Sequence, residues 1–296
     1  MAYESIRLKK EFVIDQIVTI HYFEYMSDFS YPGESHDFWE LLCVDKGVVN
    51  VQADARTHTL KAGDLIFHKP REFHNVKANG VIAPNLVVIS FVCKSPAMVF
   101  FENKILKVDS VEREILARII AEAGSVYISR LDDPYSEKLT RRADGPFGAE
   151  QLIQMYLQQL LILLVRRCQT SLDSPSHPKT LSKNSEDELF YHLLEYMNTN
   201  LKEHLTIDQI CRDNLVSRSV LQKLFQERAG CGIIDYFSKL KISAAKQLIR
   251  NRSHNFSQIA DELGYSSIHY FSRQFKKITG MTPSEYSGSI KALTER

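Results

Sequence analysis

Near the C-terminal end, Ser219, Gln222, Lys223 and Gln226 recur at i, i+3, i+4 and i+7, so a helix would carry them on one face. His269, Arg273, Lys276 and Lys277 form a second such group about fifty residues later. These residue types suit one chemistry. A guanidinium or ammonium pairs with phosphate or with the O6 and N7 of guanine, and a carboxamide pairs with adenine. The opposite faces are apolar: Val220, Leu221, Leu224 and Phe225 in the first group, Phe271, Phe275 and Ile278 in the second. Ser217 and Ser267 stand where a side-chain oxygen would cap each helix.

The elements that position these residues repeat. At an offset of 50, Ser217 matches Ser267, Leu221 matches Phe271, Phe225 matches Phe275, Gly230 matches Gly280 and Tyr236 matches Tyr286. Each copy reads as short helix, turn, longer helix and glycine stop, a helix-turn-helix written twice. Thr206-x-x-Gln209 and Ser185-x-x-Glu188 read as capping boxes. Between the copies, Ile233–Asn251 reads as one long helix with Ile234, Phe237, Leu240, Ala244 and Leu248 as its packed positions. Such a connector would hold two recognition helices at the ~34 Å spacing of adjacent major-groove segments.

The charge distribution agrees. The 296 residues hold 37 basic and 36 acidic side chains, a formal charge of +1. Residues 1–182 net −2, residues 183–296 net +3, and 217–279 alone hold 11 basic against 4 acidic residues. A polar helix face is most often merely solvated. A duplicated face with matched caps and a local basic excess favours DNA.

The first half has another grammar. Ile17–Phe23, Phe38–Val44, Val48–Val51, Asp64–Phe67 and Leu86–Val92 are short β-branched or aromatic runs broken by turns. They predict an antiparallel sandwich or barrel. Helical spacing follows over Val111–Ala121 and Gln151–Arg167, with a loop over Asp132–Gly148. The second helix is apolar around too much of its circumference to face water alone, so it lies under the barrel or against a second subunit. The predicted organisation is a mostly β domain over 1–170 with flanking helices, a Pro- and Ser-containing linker over 171–184, and an all-α DNA-binding domain over 185–296. Met1–Lys10 lacks the apolar core of a secretory signal, and the longest apolar run, Leu160–Val165, is far too short to span a bilayer. The five cysteines are scattered without a C-x-x-C pair. A cytoplasmic protein with no membrane partner and no disulfide framework is expected.

The run Leu205-Thr-Ile-Asp-Gln-Ile-Cys211 to Ser217-Arg-Ser-Val-Leu-Gln-Lys-Leu-Phe225 resembles the first helix-turn-helix of the AraC/XylS-type transcription regulators. Ile259-Ala-Asp-Glu-Leu-Gly-Tyr265, Phe271-Ser-Arg-Gln-Phe-Lys276 and Gly280-Met-Thr-Pro-Ser-Glu-Tyr286 resemble that family's C-terminal signature. The resemblance implies a seven-helix domain over about 190–290 that binds double-stranded DNA. Its DNA-facing candidates are Ser217, Arg218, Ser219, Gln222, Lys223 and Gln226 in the first unit. In the second they are Ser267, Ile268, His269, Tyr270, Arg273 and Lys277. Leu215 departs from the glycine common at that place, and Ile268 from a polar residue.

In the first half, His36-Asp-Phe-Trp-Glu40, then Gly47, Gly63-Asp-Leu-Ile-Phe-His-Lys-Pro70 and His74 resemble the cupin-type sensor domain of many such regulators. Residues 36, 38 and 40 alternate onto one strand face. His21, His36, Phe38, Glu40 and His74 are therefore the expected effector-binding residues, suited to a sugar or similar polar metabolite. Enzymatic cupins hold a metal at the positions that match Glu34, His36, Glu40 and His74, but here Glu replaces the first His and the preceding motif glycine is missing. The expectation is a ligand-responsive regulator, not an enzyme, with no metal and no cofactor. Expected partners are DNA, a small-molecule effector, RNA polymerase and a second copy of the chain. The alternatives are a metal-dependent cupin enzyme fused to a DNA-binding module, and a regulator answering to a protein partner or to no ligand.

Overall fold

The computed structural model describes residues 3–133, 136–172 and 185–294. It divides into two compact units, the first Met1–Pro175 with Leu293–Arg296 and the second Ser176–Ala292. Of the expected linker, 171 and 172 continue a helix, and the remainder lies outside the described residues.

The first unit is built from β1 (Ile14–Glu24), β2 (Ser30–Glu34), β3 (Trp39–Lys46), β4 (Val48–Ala53), β5 (Arg56–Lys61), β6 (Asp64–His68), β7 (His74–Ala78), β8 (Asn85–Cys93) and β9 (Ile105–Lys107), followed by α1 (Ser110–Val126) and α2 (Ala149–Leu172). The strands form two antiparallel sheets, ordered β1-β8-β3-β6-β9 and β2-β7-β4-β5. Strand β3 is buried on both faces, and its alternation sets the layers. Leu42 and Val44 point between the sheets, against Val49, Val51, Leu60, Val76 and Leu86. Trp39, Leu41 and Cys43 point the other way, against α1 and α2. At the β3–β4 turn, Gly47 has φ +80°, and a Cβ there would meet Ala83 O and Pro84 Cα at 2.9 Å.

Strands β2, β5 and β7 were not evident from the sequence because they are largely polar. In β5, the edge of its sheet, Leu60 alone is buried. Water solvates the other side chains, so the apolar signal of a strand is nearly absent. The excess apolarity of α2 is absorbed within its own unit: Ile153, Leu157, Leu160, Leu161 and Leu164 are buried beneath the larger sheet and α1. Gln154 and Gln158 donate to the carbonyls of Ile14 and Phe12. The Arg167 guanidinium grips the carboxylate of buried Glu112 at 3.0 and 2.9 Å. Glu112 is also the N3 member of a reciprocal capping box with Asp109.

The second unit is helical: α3 (Ser185–Thr199), α4 (Ile207–Asp213), α5 (Arg218–Ala229), α6 (Ile233–Asn251), α7 (Phe256–Glu262), α8 (Ile268–Thr279) and α9 (Pro283–Thr294). Helices α4–α5 and α7–α8 are the two helix-turn-helix units. Thr206 caps α4 by accepting from Gln209 N at 3.2 Å, whereas full reciprocal boxes form between Asn255 and Gln258 at α7 and between Thr282 and Glu285 at α9. The buried face of α6 differs from the expected one. It consists of Ile233, Phe237, Lys241, Ile242, Ala245, Ile249 and Arg250, while Ile234 is exposed. Phe237 is buried and Leu240 packs against the core as expected, but two long cations, Lys241 and Arg250, also occupy core-facing positions that hydrophobicity alone did not indicate.

Candidate functional site

Two sites arise, one in each unit. In the barrel, cross-strand pairing aligns Thr19 with Ser90, Ser90 with Glu40, and Glu40 with His68, one residue from each of β1, β8, β3 and β6. Directly paired residues share a sheet face, so four positions far apart in sequence form a polar row. Thr19 Oγ1 and Ser90 Oγ lie 3.0 Å apart, and Ser90 donates to Glu40 Oε2 at 3.0 Å. From the smaller sheet, the paired residues Glu34 and His74 approach the same place. His74 Nε2 lies 3.3 Å from Glu40 Oε1, and His36 Nε2 lies 3.6 Å from Glu40 Oε2.

The imidazoles are held from behind. His36 Nδ1 donates to Phe38 O at 3.1 Å and His74 Nδ1 to Glu72 O at 3.1 Å. His74 also stacks on His68 with ring centroids 4.2 Å apart, and buried His68 bonds through Nδ1 to Glu72 Oε2 at 2.9 Å. Burial by itself would push the Glu40 carboxyl up, but His36 and His74 hold it well below the usual range. For His74 the opposing effects are burial, which lowers it, and Glu40, which outweighs burial and raises it. His68 and His21 are pushed down by burial.

This polar end opens into a cavity of about 90 Å³ between the sheets. Its walls include His21, Phe38, Glu40 and His74 with Tyr25, Tyr31 and Leu86. The five expected effector residues are thus neighbours: four line the cavity, and His36 stands against Glu40 and His74. Thr19, Tyr25, Tyr31, Asn75 and Ser90 were missed. Alternation with His21 would have placed Thr19 on the right face of β1. The same alternation extends to Tyr25, whereas Tyr31, Asn75 and Ser90 needed the sheet pairing. The donor atoms of Glu34, His36, Glu40 and His74 all lie within 4.8 Å of one another, a set able to hold a metal ion.

In the second unit, Ser217 Oγ accepts from Val220 N at 3.3 Å and Ser267 Oγ from Tyr270 N at 3.1 Å, so both longer helices carry the expected caps. Both end at a left-handed glycine, Gly230 or Gly280. Leu221, Leu224, Phe225, Phe271 and Phe275 are buried. Arg218, Ser219, Gln222, Lys223 and Gln226 are exposed on α5, and His269, Tyr270, Arg273 and Lys277 on α8. Ile268 is half-buried, and Val220 is exposed rather than packed. Arg218 reaches Asp208 at 3.4 Å and Lys223 reaches Glu227 at 3.9 Å. These are exposed pairs of small worth that phosphate can displace.

The two helix-turn-helix units are tied through α6. Buried Lys241 donates to Glu203 O, just before α4, at 2.9 Å and to Leu263 O, at the end of α7, at 2.8 Å. Its ammonium also lies over the rings of Phe237 and Tyr265. Sequence periodicity gave no sign of this role.

Comparison with known proteins matches a region of each unit. A family model described as an AraC-like ligand binding domain matches residues 17–81, and one described as a helix-turn-helix domain matches residues 210–289. The chain is 26% identical over 261 residues to the HTH-type transcriptional activator RhaR of Escherichia coli (strain K12), covering 86% of each chain. It is 28% identical over 151 residues to the lactose operon transcription activator of Staphylococcus xylosus. That match covers 50% of this chain and 51% of the relative, about half its length. Among solved structures, a transcriptional regulator with an AraC-type DNA-binding domain from Chromobacterium violaceum is 27% identical, with a TM-score of 0.34. It covers 36% of this chain and 95% of that one. These relatives are transcription regulators, and among the described residues no helix is long and apolar enough to cross a membrane. With an AraC-like ligand-binding region ahead of a doubled helix-turn-helix, the chain is similar in both halves to the AraC-type DNA-binding transcription regulators.

Proposed function

We propose that this regulator reads DNA with the exposed faces of α5 and α8 and senses a small molecule in the cavity between its two sheets. The observation that carries the reading is the duplicated, serine-capped recognition helix with its basic outer face. Arg218, Lys223, Arg273 and Lys277 take phosphates or guanines, Gln222 and Gln226 take adenines, and Ser217, Ser219, Ser267, His269 and Tyr270 complete the contacts. Ile268 contributes an apolar contact to a thymine methyl. Residues 1–170 form the sensing domain, 171–184 the linker and 185–296 the DNA-binding domain. The protein acts in the cytoplasm as a homodimer, with the outer face of α2 around Met155 as the pairing surface, and engages RNA polymerase at its promoters. Ligand in the cavity shifts the population between states that differ in affinity for DNA.

His21, His36, Phe38, Glu40 and His74 are the effector contacts. A sugar or related polar metabolite suits a histidine and a carboxylate beside an aromatic ring, and one relative is named for the lactose operon. Such a ligand binds only by widening the cavity, since about 90 Å³ is well under the ~300 Å³ of sites that enclose organic ligands.

Lys223→Ala and Arg273→Ala test the DNA face. With operator fragments selected from genomic DNA, each is expected to weaken binding about tenfold or more. Removing a cation that neutralises one phosphate should reduce the salt slope by about one. Wild-type affinity in both variants would refute the assignment.

A further inference from the structure

The larger sheet carries a second cavity on the face turned away from the smaller sheet. Its floor is one row of the pairing: Tyr22 of β1 lies opposite Val87 of β8, and Val87 opposite Cys43 of β3. These alternate with His21, Val88 and Leu42, which face the space between the sheets, so the sheet itself separates the two cavities. The roof is α1, where Arg113, Leu116, Ala117 and Ile120 stand at i, i+3, i+4 and i+7 and share a face. Between floor and roof is a space of about 290 Å³, close to the ~300 Å³ of sites that enclose organic ligands. Its walls are apolar except at one end. There the Tyr22 hydroxyl donates to Asp45 Oδ2 at 2.9 Å and accepts from Asn85 Nδ2 at 2.8 Å, so it is engaged in both senses. Arg113 and Asp45 are less well matched. Arg113 Nη1 and Asp45 Oδ1 stand 3.5 Å apart, and among the described residues the guanidinium donates no hydrogen bond. A loose, partly exposed pair of this kind adds little to stability, and both members keep hydrogen-bonding capacity for a third group.

We infer that this cavity is a second small-molecule site of the first unit, one that takes a neutral ligand with an apolar body and a single end that both donates and accepts, such as a carboxamide. The charges at the polar end select that class. A carboxylate there would meet Arg113 but also Asp45, and an ammonium would meet Asp45 but also Arg113. Either ion unbalances a pair that is already neutral and loses its hydration against apolar walls. A carboxamide suits both partners at once: its carbonyl accepts from the Arg113 guanidinium, and its N–H donates to Asp45 Oδ1. The apolar body covers Val87, Leu116 and Ile120, and burial of that surface supplies most of the affinity. The site lies outside the sensing cavity proposed above and does not depend on it.

Three probes that share a body and differ in their end test this: cyclohexanecarboxamide, cyclohexanecarboxylate and cyclohexylmethylammonium. Each is titrated into the full chain at neutral pH and followed by calorimetry and by methyl resonances. The carboxamide is expected to saturate with a dissociation constant on the order of a millimolar, as suits about nine non-hydrogen atoms. It should bind about tenfold tighter than either ion. The shifted methyls should be those of Val87, Leu116 and Ile120. Ala117 is exposed, so Ala117→Trp fills the cavity from outside and should abolish binding with unchanged circular dichroism. Arg113→Met leaves Asp45 alone at the polar end and should turn the preference toward the ammonium, a reversal that a merely structural role for Arg113 would not produce. No saturation at about ten times the expected constant, equal binding of the three probes, or full binding by Ala117→Trp overturns the inference. Shifts at Leu42 and Val88 instead would put the probe between the sheets, which overturns this site and leaves the sensor reading standing.

Discussion

Leu215 and Gly264 occupy the same place in the two helix-turn-helix units and impose different demands. Both are left-handed, at φ +54° and +64°. Gly264 packs so tightly that a Cβ would overlap Lys202 O at 1.7 Å, whereas Leu215 is 95% exposed. The second turn therefore requires glycine for space and the first tolerates a side chain at the cost of backbone strain. Gly264→Ala should destabilise the DNA-binding unit by about 3 kcal/mol, with both a steric clash and an unfavourable φ. Leu215→Gly should change stability by no more than about 1 kcal/mol, because relief of strain and loss of unfolded-state restriction oppose each other. Thermal melts of the two variants check this. An equal response would contradict the packing difference.

At the scale of elements, two buried charges hold helices in register. In the barrel unit, removing Arg167 from α2 leaves the Glu112 carboxylate of α1 buried without its cation. Arg167→Met is expected to cost about 3 kcal/mol, seen as a lowered urea midpoint. In the DNA-binding unit, Lys241→Met keeps the stem packed but strips the donor from Glu203 O and Leu263 O. A loss of about 2 kcal/mol is expected. Because those carbonyls belong to different helix-turn-helix units, discrimination against operators with one base pair inserted between the two contacted segments should relax as well. Unchanged discrimination would show that apolar packing alone sets the spacing. Legibility at this scale followed periodicity. Helices α5 and α8 were readable because their apolar and polar residues alternate cleanly and the pattern occurs twice. Strands β2, β5 and β7 were not, and the packed face of α6 was only partly anticipated because Lys241 and Arg250 share it.

For the whole molecule, the proposed coupling of sensing to DNA binding carries reciprocity with it. If a ligand in the barrel changes affinity for DNA by some factor, DNA changes affinity for that ligand by the same factor. Whichever molecule raises the barrel's melting temperature should therefore bind about 5- to 150-fold differently with and without saturating operator, the usual span of such coupling. Equal affinity in the two conditions would leave the barrel without regulatory effect. What the chain alone determined was the pair of polar helix faces proposed to read DNA. Each lies within a dozen consecutive residues, where helical geometry converts spacing directly into a surface. The histidines and carboxylate of the barrel were visible as residue types, but their relation was not. Thr19, Ser90, Glu40 and His68 meet because antiparallel register brings four strands level, and Glu34 and His74 meet them because a second sheet packs over the first. Only tertiary structure decides such contacts, since a shift of one residue in register would turn every one of those side chains to the opposite face.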